Sequence, residues 1–216
     1  FNQYHLTYSK SFIKEQNWNA VWESNFDPIR VGDFVGIRAH FHPDFVPTVT
    51  HDIKITPKMS FGTGHHPTTY SMIELMQRID FKAKTVYDFG TGTGILAILA
   101  EKLGASKVHA VDNDDWCIEN AEENIHNNAS KVITIEKVES ALQKEQFDIV
   151  LANVNRHILE ANMDELTQIG KPGGTLVLSG LLTEDQSDII KLTQSKGWKF
   201  QASQPLNGWV SLMFNR

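Results

Sequence analysis

"VYDFGTGTGILAI", residues 86–98, is an apolar run, then three glycines at alternate positions, then a second apolar run. A short run rich in β-branched and aromatic residues that ends on glycines and resumes with helical spacing reads as strand, tight turn and helix, the opening of a βαβ unit. Working outward, strand-like runs recur at steady spacing. They are "KTVYDF" (84–89), "KVHAVD" (107–112), "KVITIE" (131–136), "FDIVLAN" (147–153) and "GTLVLSG" (174–180). The segments between them carry helical patterns, predicted to begin near Gly94, Asp114, Asn155 and Thr183, with an acidic first turn in "LTEDQSDIIKL". "KPGG" (171–174) reads as a turn ahead of the fifth strand. "WKFQASQ" and "GWVSLMF", separated by "PLNG", read as a closing β-hairpin. The fold expected is α/β and Rossmann-like: a mostly parallel seven-stranded sheet with a terminal antiparallel hairpin.

Upstream of residue 60 the pattern changes. "FIKEQNWNAVWESNF" (12–26) places Trp18, Val21 and Trp22 on one helical face, an ordinary packing stripe. "DFVGIRAHF" (33–41) and "HDIKITP" (51–57) are strand-like and would flank or extend the main sheet.

The 216 residues are 41% hydrophobic and 21% charged, enough for one main core. A net charge of −6 argues against a broad nucleic-acid binder and suits a basic partner. The single cysteine, Cys117, cannot form an internal disulfide, which suits a reducing compartment. No apolar run is long enough to cross a membrane as a helix, and the first ten residues lack the apolar core of a signal peptide. A cytoplasmic location is the expectation.

The glycine turn admits two cofactors. Gly92, Gly94 and Ala97 match a dinucleotide spacing, and Asp112 stands where a ribose-binding carboxylate is expected. Asp88, two residues before Gly90, would face the ligand crevice; a carboxylate there repels a pyrophosphate and attracts the cationic S-adenosylmethionine. The methyl donor is therefore favoured over NAD.

Two further stretches carry chemistry. "MSFGTGHHPTT" (59–69) precedes a helical stripe of Met72, Leu75, Met76 and Ile79, and puts Thr68 and Thr69 at a helix entrance, where hydroxyls and free amides can hold a ligand carboxylate. His65 and His66, with His40, His42 and His51 upstream, complete no recognisable zinc pattern, so no metal is expected. "NVNRHIL" (153–159) closes the fourth strand beside the first, at the topological switch point; Asn153 can bond an amine there without adding charge. Asn155 is the better helix cap.

Together "FGTGHHPTT", "VYDFGTGTGILAI", "VDNDDWCIENAEENI" and "NVNRHIL" resemble the PrmA family, bacterial methyltransferases that modify ribosomal protein L11 of the large subunit. The resemblance covers most of the chain, and the first of these loops is its most specific part. Ser60 stands where alanine is common, and Thr91 and Thr93 where Cys and Ser are frequent.

The resemblance implies S-adenosylmethionine contacts at Thr69, Gly90, Asp112 and Asn153, with Phe61, Gly62 and Thr63 lining the same pocket. It implies methylation of lysine ε-amines and an N-terminal amine of L11, up to the trimethylated state. Asn153 is the candidate for orienting the amine, with His157 in reserve. It also implies a catalytic domain over residues 31–216, residues 1–30 being the end of an N-terminal substrate-recognition domain plus a linker helix. A monomer is expected. The competing readings are a methyltransferase of another protein, RNA or small molecule, and an NAD-binding oxidoreductase. "NVNR" lacks the Asn-Pro-Pro-aromatic pattern of planar-nitrogen methylation.

Overall fold

The computed structural model describes residues 26–58 and 60–216. The helix expected over 12–26 lies outside the described residues, apart from Phe26.

The described chain opens with a small three-stranded sheet: β1 (Ile29–Val31), β2 (Val35–Arg38) and β3 (His51–Lys54). β1 is antiparallel to β2, and β2 is parallel to β3. These strands form a sheet of their own beside the main one, and β1 has residues on both sides of position 30/31. Val35, Ile37 and Ile53 are fully buried and share one apolar cluster with Met72 of helix α1 (Pro67–Met76) and Ile98 of helix α2 (Ile95–Lys102). Each such side chain contributes roughly 1.5–3 kcal/mol of transfer free energy, so the small sheet is fastened to the same core.

The main sheet has seven strands in the order β6-β5-β4-β7-β8-β10-β9. β4 (Thr85–Phe89), β5 (Lys107–Asp112), β6 (Ile133–Lys137), β7 (Phe147–Asn153) and β8 (Gly170–Leu182) are parallel neighbours. Helix α3 (Asp115–Asn127) connects β5 to β6, and helix α4 (Arg156–Ile169) connects β7 to β8. The chain moves outward from β4 through β5 to β6, then returns to place β7 on the other side of β4. The carboxyl ends of β4 and β7 thereby flank a crevice that no crossover covers.

The four expected helix starts hold, each with its own local chemistry. Gly94 caps α2 without a side chain, and Asp114 caps α3 by accepting the Trp116 amide at 2.8 Å. Asn155 caps α4 through backbone position alone. Thr183–Asp185 forms a 3-10 turn that feeds helix α5 (Gln186–Ser195), with the Asp185 carboxylate accepting the Leu182 amide at 3.0 Å.

The "KPGG" reading needs correction: those residues lie inside β8. The pairing of β7 with β8 jumps from Phe147↔Gly170 to Ile149↔Thr175, so the extra residues are absorbed as a bulge, with Gly173 at φ 77°. Arg216, the residue after β10 (Trp209–Asn215), holds the bulge in place, because Gly173 N–H donates to the Arg216 carbonyl and Arg216 N–H to the Gly174 carbonyl.

The closing hairpin is tighter than "PLNG" suggests. β9 (Lys199–Leu206) and β10 (Trp209–Asn215) are joined by Asn207 and Gly208 alone, both at positive φ, the signature of a two-residue type I′ turn. Pro205 remains paired within β9, which is tolerated because β9 is the sheet edge. β10 lies between β8 and β9, antiparallel to both.

Candidate active site

A cavity of about 730 Å³ opens at the carboxyl ends of β4, β5 and β7. Its floor is the glycine turn. Gly92 sits at φ 56°, and a Cβ there would collide with the Phe61 carbonyl, so the second loop lies directly against this backbone. A Cβ on Gly90, at φ 72°, would run into the Val154 side chain.

The two threonines of the turn are joints. Thr93 N–H donates to the Phe61 carbonyl at 2.9 Å and Thr93 Oγ1 to the Gly62 carbonyl at 2.6 Å, docking the "FGTG" loop on the turn. Thr91 Oγ1 donates to Asp88 Oδ2 at 2.6 Å. A third clamp comes from α3. Asn124 donates to the Thr93 carbonyl at 2.9 Å while its side-chain oxygen accepts the Thr56 amide at 2.7 Å. Asparagine suits this position because it carries a donor and an acceptor at one fixed spacing.

Asp112, at the end of β5, borders the cavity. Its Oδ2 accepts the Gly92 amide at 2.9 Å and its Oδ1 the Asp114 amide at 3.2 Å, so the carboxylate is held rigid with lone pairs still free. Beside it on the wall is Cys117, whose thiol is pushed up to about 11, first by burial and then by the Asp112 charge. It stays protonated at neutral pH and is a poor nucleophile. Val138 and Glu139, just past β6, complete this nucleoside-sized end.

Asp88 departs from expectation. It does not border the cavity; it is fully buried beneath the turn, drawn there by the Thr91 hydroxyl, and one carboxylate oxygen has no partner among the described residues. Burial raises its carboxyl to about 7, opposed by the Thr91 hydrogen bond and reinforced by the Asp112 charge.

Asn153, at the end of β7, does border the cavity. Its Nδ2 donates to Thr69 Oγ1 at 3.4 Å, while its Oδ1 is buried and has no hydrogen-bond partner among the described residues. A buried acceptor left open in this way is costly unless something fills it. Thr69 itself is buried behind Asn153, and it is Thr68 that reaches the wall. Gly62 and Thr63 are also off the wall; Phe61 lines it and is 50% exposed. His157, the reserve candidate, also lines the cavity, as do Asn155 and Ile158.

The histidine pair has a structural explanation. His66 is the N-cap of α1, with Pro67 at the first helical position; its Nδ1 accepts the Thr68 amide at 3.3 Å and shares a 2.8 Å hydrogen bond with Thr68 Oγ1. Burial lowers its pKa. Among the described residues, no group of three His, Cys, Asp or Glu is arranged to hold a metal.

Two features, one on the cavity wall and one buried away from it, were invisible in the sequence. Trp209, the first residue of β10, reaches the cavity only because the hairpin turns back between β8 and β9. A buried hydroxyl chain, Ser71···Ser211 at 2.6 Å and Ser211→Ser179 at 2.7 Å, ties α1 to β10 and β8. Ser71 Oγ also lies 3.2 Å from the Thr68 carbonyl, at the helix entrance.

The residues present fit S-adenosylmethionine. Gly90 and Gly92 bring bare backbone to the cavity wall, Asp112 offers a fixed carboxylate for ribose hydroxyls, and Asn153 offers an open acceptor for an ammonium or amine.

Comparison with known proteins agrees with this geometry. A solved ribosomal protein L11 methylase from Lactobacillus delbrueckii subsp. bulgaricus superimposes with a TM-score of 0.79 at 28% identity, over 88% of this chain and 98% of that one. Magnesium protoporphyrin IX methyltransferase from Synechocystis PCC 6803, solved with bound S-adenosylmethionine, shares the fold at a TM-score of 0.60 and 18% identity, over 74% of this chain and 86% of that one. In sequence, a ribosomal protein L11 methyltransferase of Phocaeicola vulgatus is 40% identical over 97% of this chain and 75% of the relative. The family model for "Ribosomal protein L11 methyltransferase (PrmA)" matches residues 2–216 and so runs through all the motifs that build the cavity; the chain belongs to the PrmA family.

Proposed function

We propose that this protein, as an S-adenosylmethionine-dependent methyltransferase of ribosomal protein L11, methylates lysine ε-amines and an N-terminal amine of that substrate, up to trimethylation, in the cytoplasm. The reading rests above all on the buried, unpartnered Oδ1 of Asn153 on the cavity wall. Residues 31–216 are the catalytic domain on this reading, acting as a monomer.

When bound, S-adenosylmethionine supplies a sulfonium-activated methyl: the S–CH3 bond breaks as the N–CH3 bond forms, the electron pair stays on sulfur, and the amine's proton leaves to solvent. This chain's residues need only bind, orient and exclude water. Asp112 would hold the ribose hydroxyls, and Gly90 and Gly92 would present backbone to the methionine part. Phe61 would cover that part. Thr68, whose amide and hydroxyl are engaged by His66 Nδ1, would shape the α1 entrance beside the carboxylate end, and Thr69 acts from behind by fixing the Asn153 amide through its hydroxyl. Asn153 Oδ1 accepts from the incoming amine and aims its lone pair away from itself. Asp88 acts indirectly, supporting the turn through Thr91.

The test is mass analysis of L11 after incubation of undermodified large ribosomal subunits with the donor and either the parent protein or Asn153→Ala. The parent adds methyl groups to L11, and the variant does so about 10²-fold more slowly, the usual scale for losing an orienting contact. Parent-like rates in a folded Asn153→Ala protein would remove Asn153 from this role. Methylation of an RNA or another protein by the parent, with L11 untouched, would overturn the substrate assignment.

A further inference from the structure

Phe61, His66 and Trp209 come from three separate elements and meet on one side of the cavity. The Phe61 and His66 rings are 5.2 Å apart at 60°, and the His66 and Trp209 rings 4.7 Å apart at 70°. Near-perpendicular rings of this kind present π surface and ring edges around a shared corner. The carboxylates on the cavity wall stand at the ends of β5 and β6: Asp112 closes β5, Asp114 follows it, and Glu139 follows β6. Trp209 pairs with Leu182 of β8, two residues after Gly180, which lines the cavity with the uncharged Asn153, Val154 and Asn155.

We propose that Phe61, His66 and Trp209 form an aromatic box that receives the side-chain nitrogen of the acceptor lysine and retains it better as it gains methyl groups. The proposal rests on the lysine-methylation reading above and adds how successive methylation states are recognised.

The chemistry follows from what a methylated amine loses. Each methyl group removes an N–H donor and adds apolar surface, until a trimethylammonium has a full positive charge and no donor at all. A carboxylate would hold an unmethylated ammonium most strongly, and so favour the protonated, unreactive form. Aromatic faces attract the cation through their quadrupole and gain contact area with each methyl group. The imidazole of His66 belongs in such a box only if uncharged. Its Nδ1 is committed to the Thr68 amide and hydroxyl, the α1 N-terminus disfavours an imidazolium, and burial lowers its pKa. The corner therefore adds no positive charge to repel the substrate.

The test compares two short peptides by calorimetry: one bearing trimethyl-lysine, the other the uncharged isostere in which a carbon replaces the ammonium nitrogen. Titrated into the protein with S-adenosylhomocysteine present, the charged peptide should bind about tenfold more tightly, as a desolvated cation–π contact implies. Trp209→Leu should abolish that preference and Trp209→Phe keep most of it. In product analysis of L11, Trp209→Leu should accumulate mono- and dimethyl states that Trp209→Phe carries through to trimethyl. Equal affinity for the two peptides, or no binding of either at millimolar concentration, overturns the box. Failure of the parent protein to methylate L11 would instead sink the lysine reading on which it rests, so the two failures are distinguishable.

Discussion

Replacing Gly92 by alanine loads the joint between the glycine turn and the "FGTG" loop. A Cβ at φ 56° carries the left-handed penalty of roughly 1–2 kcal/mol. The same Cβ meets the Phe61 carbonyl, and forcing an extra carbon against packed atoms costs about 1–3 kcal/mol. If that carbonyl retreats, the 2.9 Å hydrogen bond from Thr93 N–H goes with it, for about 1 kcal/mol more. The total is about 3–6 kcal/mol, against the roughly 5–15 kcal/mol that holds an ordinary domain together. Gly197 isolates the first contribution: it has φ 92° and open space where a Cβ would go, so Gly197→Ala should cost only about 1–2 kcal/mol. Urea unfolding of both variants measures stability, and calorimetric titration with S-adenosylmethionine measures the site. Gly92→Ala should lose the larger stability increment and bind the donor at least about tenfold more weakly, because Phe61 is a cavity wall. Gly197→Ala should bind it as the parent does. A Gly92→Ala protein with the unfolding midpoint of Gly197→Ala and the parent's affinity would refute the argument that the two loops are locked together at this point.

Two further outcomes are expected. Asp112→Ala should weaken S-adenosylmethionine binding by about 1.5–3 kcal/mol, the range for hydrogen bonds to a charged group, and should also loosen the turn through the lost Gly92 contact; unchanged calorimetric affinity in a folded variant would contradict the assignment. Asp88 titrates near 7 in the folded protein and near about 4 when unfolded, so between those values the folded state holds a proton that the unfolded state lacks, and stability falls as pH rises through that window. Asp88→Asn should flatten this fall when thermal midpoints are compared at about pH 5 and pH 8; an undiminished fall in the variant would place its source elsewhere.

The order of strands and helices was legible in the sequence because apolar periodicity and turn residues act locally. "VYDFGTGTGILAI" folds as strand, turn and helix, and Asp114 caps its helix, for reasons contained within a few residues. Asp112 and Asn153 were legible as cavity residues for the same reason, since each ends a parallel strand and strand ends line the crevice. Contacts between distant segments were not legible. Nothing near Thr69 indicates that it would stand behind Asn153 while Thr68 took the wall; Asp88 is the local exception, its carboxylate held beneath the turn by Thr91 only three residues on. "KPGG" carries every local mark of a turn, yet β7 and the chain's last residue hold it within a strand as a bulge. Trp209 becomes a cavity residue only through the place of β10 between β8 and β9, and it meets His66 from the other half of the chain. Local chemistry specifies which elements form and where they end. Which side chains share a wall depends on packing among segments as far apart as residues 66 and 209, and that information resides in the three-dimensional arrangement.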